Sequence, residues 1–92
     1  MEIKIHPAKP EAYLLLTIIY QGQVGDKAKI MRIHGGYGAV NWEEVFDLPM
    51  HLWPDHGWTI NIAVLPQKLL NLTFHDGEGN WDETIQFAIE SP

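Results

Sequence analysis

The segment His75-Asp76-Gly77-Glu78-Gly79-Asn80-Trp81-Asp82-Glu83 gathers residue types that can recognise or transform a ligand. Gly77 and Gly79 mark a tight loop, and an indole in such a loop is hard to cover on both sides. Trp81 is therefore expected to keep one face open, with the amide of Asn80 and the carboxylate of Asp82 at its edge. Such a group suits a saccharide, because the C–H face of a pyranose packs on an aromatic ring while its in-plane hydroxyls need donors and acceptors beside it. The competing structural reading folds Trp81 back as a lid on the core, since single exposed aromatics are common without function.

Trp42 offers a second plane. It follows Gly35, Gly36, Gly38 and Asn41, a polar setting for so large a hydrophobe. His34 precedes the glycines at the end of an expected strand, pointing outward, and its ring can both stack and hydrogen-bond a hydroxyl. The bland alternatives are Trp42 packed on Phe46 along a helical turn, and His34 as an uninvolved solvated residue.

Other chemistries fit less well. Asp76, Glu78, Asn80 and Asp82 fall at alternate positions, in the manner of a calcium loop. An EF-hand counted from Asp76, however, needs Gly and Glu where this chain has Trp81 and Phe87. His51 and His56 straddle Pro54 at a spacing unlike that of helical zinc ligands. No metal or cofactor is expected. A glycosidase needs two carboxylates flanking the scissile bond, whereas Asp76, Glu78 and Asp82 crowd one loop. Neither a Gly-x-Ser-x-Gly elbow nor a phosphate-cradling loop is present, so the expected role is noncatalytic.

These residues must be held by a small frame. The 92 residues are 46% hydrophobic and 20% charged with no cysteine, which reads as one domain, residues 1–92. A chain this short buries roughly 60 to 65% of its unfolded surface. Without disulfides or a cysteine zinc site, its three Phe, three Tyr and four Trp must fill much of the core. The formal charge of −6 opposes nucleic acid and anionic membrane surfaces, and no apolar run approaches the ~20 residues of a membrane helix. Met1-Glu2-Ile3-Lys4 lacks the cationic and apolar regions of a leader. A native start at Met1 would leave the chain in the cytoplasm, whereas a module excised from a secreted enzyme would be extracellular. Asn71-Leu72-Thr73 matches a glycosylation acceptor, although within an expected strand.

The apolar pattern has a period of two wherever it is regular, which points to strands. Ile3 and Ile5 form a short edge strand ended by Pro7 and Pro10. Residues 12–20 are almost continuously apolar, and Thr17-Ile18-Ile19-Tyr20 tilts them toward a central strand rather than a helix. In residues 27–34, Met31 and Ile33 face the core, opposite Ile30, Arg32 and His34. Residues 35–38 are expected as a flexible loop, and residues 41–44 as a one-turn helix start capped by Asn41 with Glu44 three residues on, stopped by Pro49. Trp58, Ile60, Ile62 and Val64 mark the clearest strand. Leu70, Leu72 and Phe74, then Ile85, Phe87 and Ile89, mark two half-buried ones. Six or seven short strands with Gly and Pro turns predict an all-β, antiparallel β-sandwich.

The combination of Ile33-His34 at a strand end, a glycine-bearing loop, Trp42, and the run from Leu70 to Asp82 resembles the starch-binding carbohydrate-binding modules of families 25, 26 and 53. In that family, a Phe-x-Asp-Gly-x-Gly-Asn-Trp-Asp loop carries one Trp platform, matched here by residues 74–82. The resemblance covers residues 12–87 and implies an immunoglobulin-like sandwich that binds α-1,4-linked glucan (starch, glycogen or maltooligosaccharides). It implies a site of His34, Trp42 and Trp81, with Asn80 and Asp82 as weaker members, in a module appended to or acting beside a glucan-active enzyme. The chain departs from the family at Glu83 and Thr84, where asparagines are frequent, and at Gly35, where an aromatic commonly follows the His. Tyr37 is a candidate replacement whose direction is open. The rival is an immunoglobulin-like protein-interaction module with the same aromatics as its interface.

Overall fold

Period-two alternation becomes strand almost throughout the computed structural model, which describes residues 1–91. In chain order the elements are β1 (Glu2–His6), β2 (Leu15–Gln21), α1 (Gln23–Lys27), β3 (Arg32–Tyr37), β4 (Glu43–Pro49), β5 (His51–Trp53), β6 (Gly57–Ala63), β7 (Leu69–His75) and β8 (Ile85–Ala88). They form two four-stranded antiparallel sheets, ordered β1-β2-β6-β5 and β4-β3-β7-β8. The fold is the expected all-β sandwich.

Alternate residues of each inner strand meet between the sheets. Leu16, Ile18 and Tyr20 of β2 sit opposite Ile62, Ile60 and Trp58 of β6, while Ile33, Gly35 and Tyr37 of β3 sit opposite Phe74, Leu72 and Leu70 of β7. Apart from the glycine these side chains belong to one buried cluster, joined by Met31, Met50 and Val64. Tyr20 stacks on Phe74 with ring centroids 4.6 Å apart, tying one sheet to the other. Burial of this shared apolar surface, at about 25 cal/mol per Å², is what drives a chain without covalent staples to fold.

Four expectations about the elements need correction. Residues 35–37 are not a flexible loop: they complete β3, paired with both β4 and β7. Residues 41–44 do not start a helix. Glu44 has φ +50, which a right-handed helix does not allow, and Glu43 already pairs with Tyr37 in β4, where Val45 and Phe46 favour extended backbone. The strand expected across residues 27–34 begins only at Arg32, because Gln23–Lys27 forms the helical turn. Finally, β7 is not half-buried: every residue from Leu70 to His75 is buried, so its polar face is covered as well as its apolar one. That cover is the candidate site. The hairpin strand β5, too short for a periodic signal, raises the strand number to eight.

Candidate functional site

Because Ile33 and Phe74 face the core, their neighbours Arg32, His34, Thr73 and His75 face outward. His34 is paired with Asp47 on β4 and with Thr73 on β7, while Arg32 is paired with His75. The outer face of this sheet therefore carries a polar patch across three strands, and two indoles are laid over it.

Trp42 reaches the patch because of Gly36, two residues beyond His34 on the same face. A Cβ on Gly36 would meet Trp42 Cβ at 2.9 Å and Trp42 Cε3 at 3.1 Å. A Cβ on Gly35 would run into the Phe46 ring and Asn71 O on the opposite face. The Gly35-Gly36 pair thus opens β3 to an aromatic on each side, Phe46 toward the core and Trp42 outward. Trp42 therefore does not pack on Phe46.

Trp81 is placed by its loop. Asp76 Oδ1 accepts from the backbone N–H groups of Glu78 and Asn80, Asp76 Oδ2 accepts from Asn80 Nδ2, and Asp76 N–H donates to Asn80 O. Gly77 and Gly79 take φ of +77 and +92, the left-handed conformation a side chain disfavours. The reversal returns Trp81 beside His75, with which it forms a β-bridge, and the indole lies flat on the imidazole at a centroid separation of 4.1 Å and an angle of 21°. Trp81 remains 51% exposed, so its outer face is open.

His34 sits between the two indoles. Its ring centroid is 6.2 Å from that of Trp42, inclined at 31°, and 5.5 Å from that of Trp81, at 88°. The two indole planes are therefore steeply inclined to each other across one imidazole. The structure brings His34, Trp42 and Trp81 together and leaves Trp42 half-buried and Trp81 exposed.

The weaker candidates have structural employment. Asn80 holds Asp76 through its side-chain amide. Asp82 turns inward: Oδ2 accepts from the Tyr20 hydroxyl at 2.7 Å, and Oδ1 accepts from the Glu83 N–H at 2.8 Å. Burial, followed by the Asp82 carboxylate, pushes the Tyr20 phenol well above its ordinary value. Tyr37 is 2% exposed and faces the core, where its hydroxyl accepts from the Leu65 N–H, so it does not replace the missing aromatic. Asn71 is 2% exposed, and its amide donates to Gly36 O and Gly38 O. The glycosylation acceptor is therefore closed to modification in the folded chain.

Three residues that the sequence reading does not single out as site members complete the patch. Asp47 Oδ2 is 3.1 Å from His34 Nδ1 and 2.7 Å from His75 Nε2, while Oδ1 accepts from Arg32 Nε. Partial burial pushes the Asp47 carboxyl up, but the hydrogen bonds from Arg32, His75 and His34 outweigh it and hold the group below its usual range. Alternation along β7 already puts His75 on the face of His34. Asp47 was hidden because its segment reads as following a helical turn. Among the described residues no three His, Asp or Glu side chains converge as metal ligands would, and no helix is long and apolar enough to cross a membrane.

A second exposed indole, Trp53, lies against His56 with ring centroids 4.3 Å apart and planes tilted by 33°. It belongs to β5 in the other sheet and takes no part in this patch. Comparison of the chain with protein-family models, with curated proteins and with solved structures finds no match.

Proposed function

We propose that this chain is a noncatalytic module that binds α-1,4-linked glucan through Trp42 and Trp81, with His34 between them. The observation that carries this reading is the pair of steeply inclined indoles on either side of one imidazole, Trp81 exposed and Trp42 half-buried. Two angled platforms suit a curved chain of sugars, since each can take the C–H face of a different residue while the imidazole meets a hydroxyl. The ion pair of Arg32 and Asp47 balances the charge beneath the platforms, in keeping with a neutral ligand. The strand order β1-β2-β6-β5 against β4-β3-β7-β8 is that of an immunoglobulin sandwich with one added edge strand, which supports the finer form of the fold.

Each platform contributes on the order of 1 to 2 kcal/mol, and ordering of the ligand offsets part of it. A single site of this kind binds in about the micromolar to millimolar range. Useful retention on a polymer then comes from tethering to a glucan-active enzyme or from several modules on one chain. Native electrophoresis through glycogen or amylopectin tests the proposal: the chain should migrate more slowly than in a plain gel. Unchanged migration, with no fluorescence response to maltooligosaccharides, would reject the glucan reading in favour of an interface for another protein.

A further inference from the structure

We propose that Asp47 is the positioning residue of this site, placing the proton on both imidazoles so that His34 meets the ligand with a bare Nε2, an acceptor for a hydroxyl group. The inference rests on the glucan reading and names the atom through which the site reads its ligand.

The argument follows the protons. His75 Nδ1 accepts from the Gly77 backbone N–H at 3.1 Å, so that nitrogen carries none. The proton of neutral His75 is then on Nε2, where it is donated to Asp47 Oδ2 at 2.7 Å. The same oxygen faces His34 Nδ1 at 3.1 Å. An ionised carboxylate only accepts, so Nδ1 of His34 must be the donor, which leaves Nε2 of the neutral ring with its lone pair. His34 Nε2 bonds to no group among the described residues. Since no fully buried side-chain nitrogen or oxygen there lacks a partner, this atom is not sealed from solvent.

Asp47 is itself fixed. Arg32 Nε donates to Oδ1, and an Arg32 terminal nitrogen donates to the Asp47 carbonyl at 3.1 Å. One carboxylate thereby sets the tilt of His34 between the indoles and the plane of His75 beneath Trp81. A lone pair framed by aromatic faces accepts from a hydroxyl. It repels the oxygens of an ionised carboxylate or a phosphodiester, which carry no proton to give. The ligand class is therefore a neutral polyol with an apolar face.

The test uses ¹⁵N spectra of the imidazoles in the full chain near pH ~8, above the ordinary histidine value of about 6.5, with and without maltoheptaose. The wild type should show His34 protonated on Nδ1 and His75 on Nε2, and saturation should move the His34 Nε2 resonance. Asp47→Ala should release both tautomers and weaken maltoheptaose about tenfold or more. Asp47→Asn keeps the side-chain shape, but with Arg32 holding its one amide oxygen it turns a donating NH2 group toward the imidazoles, and at least one tautomer should be disturbed. His34 found protonated on Nε2, tautomers unmoved in both variants, or an Nε2 resonance unmoved at saturation would overturn the proposal. A wild-type chain with both tautomers as stated but no affinity for the sugar would overturn the glucan reading and uphold the proton assignment.

Discussion

Gly36 lies directly beneath Trp42, so that a methyl group on it would come within 2.9 Å of the tryptophan Cβ and 3.3 Å of Val45 Cγ2. The absence of a side chain at this position is what lets an indole rest on the strand beside His34. Gly36→Ala should push Trp42 off its seat and weaken glucan several-fold, and Trp42→Ala should cost about tenfold. If the two act through one platform, the double variant should be no worse than Trp42→Ala alone, which titration of all three variants checks. Wild-type affinity in Gly36→Ala would remove the link between this glycine and the site.

Gly35 faces the other way, and its neighbours cannot yield so easily. A Cβ there would press on the Phe46 ring and lie 2.7 Å from Asn71 O, which is backbone. Gly35→Ala is expected to destabilise by about 1 to 3 kcal/mol and to lower the melting temperature by roughly 5 to 20 °C. Thermal unfolding separates this from the Gly36 effect, which should be small on stability and large on binding.

Trp81→Ala should remove most glucan binding yet shift melting by only a few degrees, because the ring is half exposed and its aromatic neighbours, His75 beneath it and His34 at its edge, both lie on the outer face of the sheet rather than in the core. Trp58→Ala should do the reverse in stability, costing about 3 to 5 kcal/mol, since that indole is buried and donates to Gly25 O. Trp53→Ala, on the opposite sheet, should leave glucan affinity unchanged. Melting curves and fluorescence titrations of the three variants check the assignment, and a large melting loss in Trp81→Ala would mark it as core.

Stability should fall at both ends of the pH scale for identifiable reasons. Folding holds the Asp47 carboxyl below its ordinary value near ~3.9, so its contribution is present above that pH and drains away as the pH drops through the folded value. Folding raises the Tyr20 phenol, so that contribution is present below about pH 10 and is lost as the pH climbs beyond it. Asp82→Ala leaves the Tyr20 hydroxyl without its acceptor and should cost about 1 to 3 kcal/mol at neutral pH. Denaturant titrations at several pH values read all three effects, and an Asp82→Ala chain as stable as wild type would contradict the last.

Binding of a neutral sugar should change little between roughly 0.05 and 0.5 M salt, because no net charge is transferred into the site. A steep decline with salt would instead indicate a cationic partner drawn to a chain of charge −6.

The alternation of apolar residues was enough to point to the sandwich and to the outward direction of His34, since burial on one face demands a period of two, and the nearly continuous apolar run of residues 12–20 pointed to the central place of β2. The loop of residues 76–80 was legible for a similar local reason: Gly77 and Gly79 supply left-handed backbone, and Asp76 bonds amides within four residues of itself. The meeting of Trp42, His34 and Trp81 was not determined by local pattern, nor was the convergence of Arg32, His34 and His75 on Asp47. These contacts join β3, β4 and β7 across strand registers, and a register is decided only when both faces of the sheet are filled at once. Gly35 and Gly36 show the difference most plainly. As a dipeptide they signal a flexible turn, and only the arrival of Phe46 from the core and Trp42 from outside turns that missing bulk into a buried stretch of the strand.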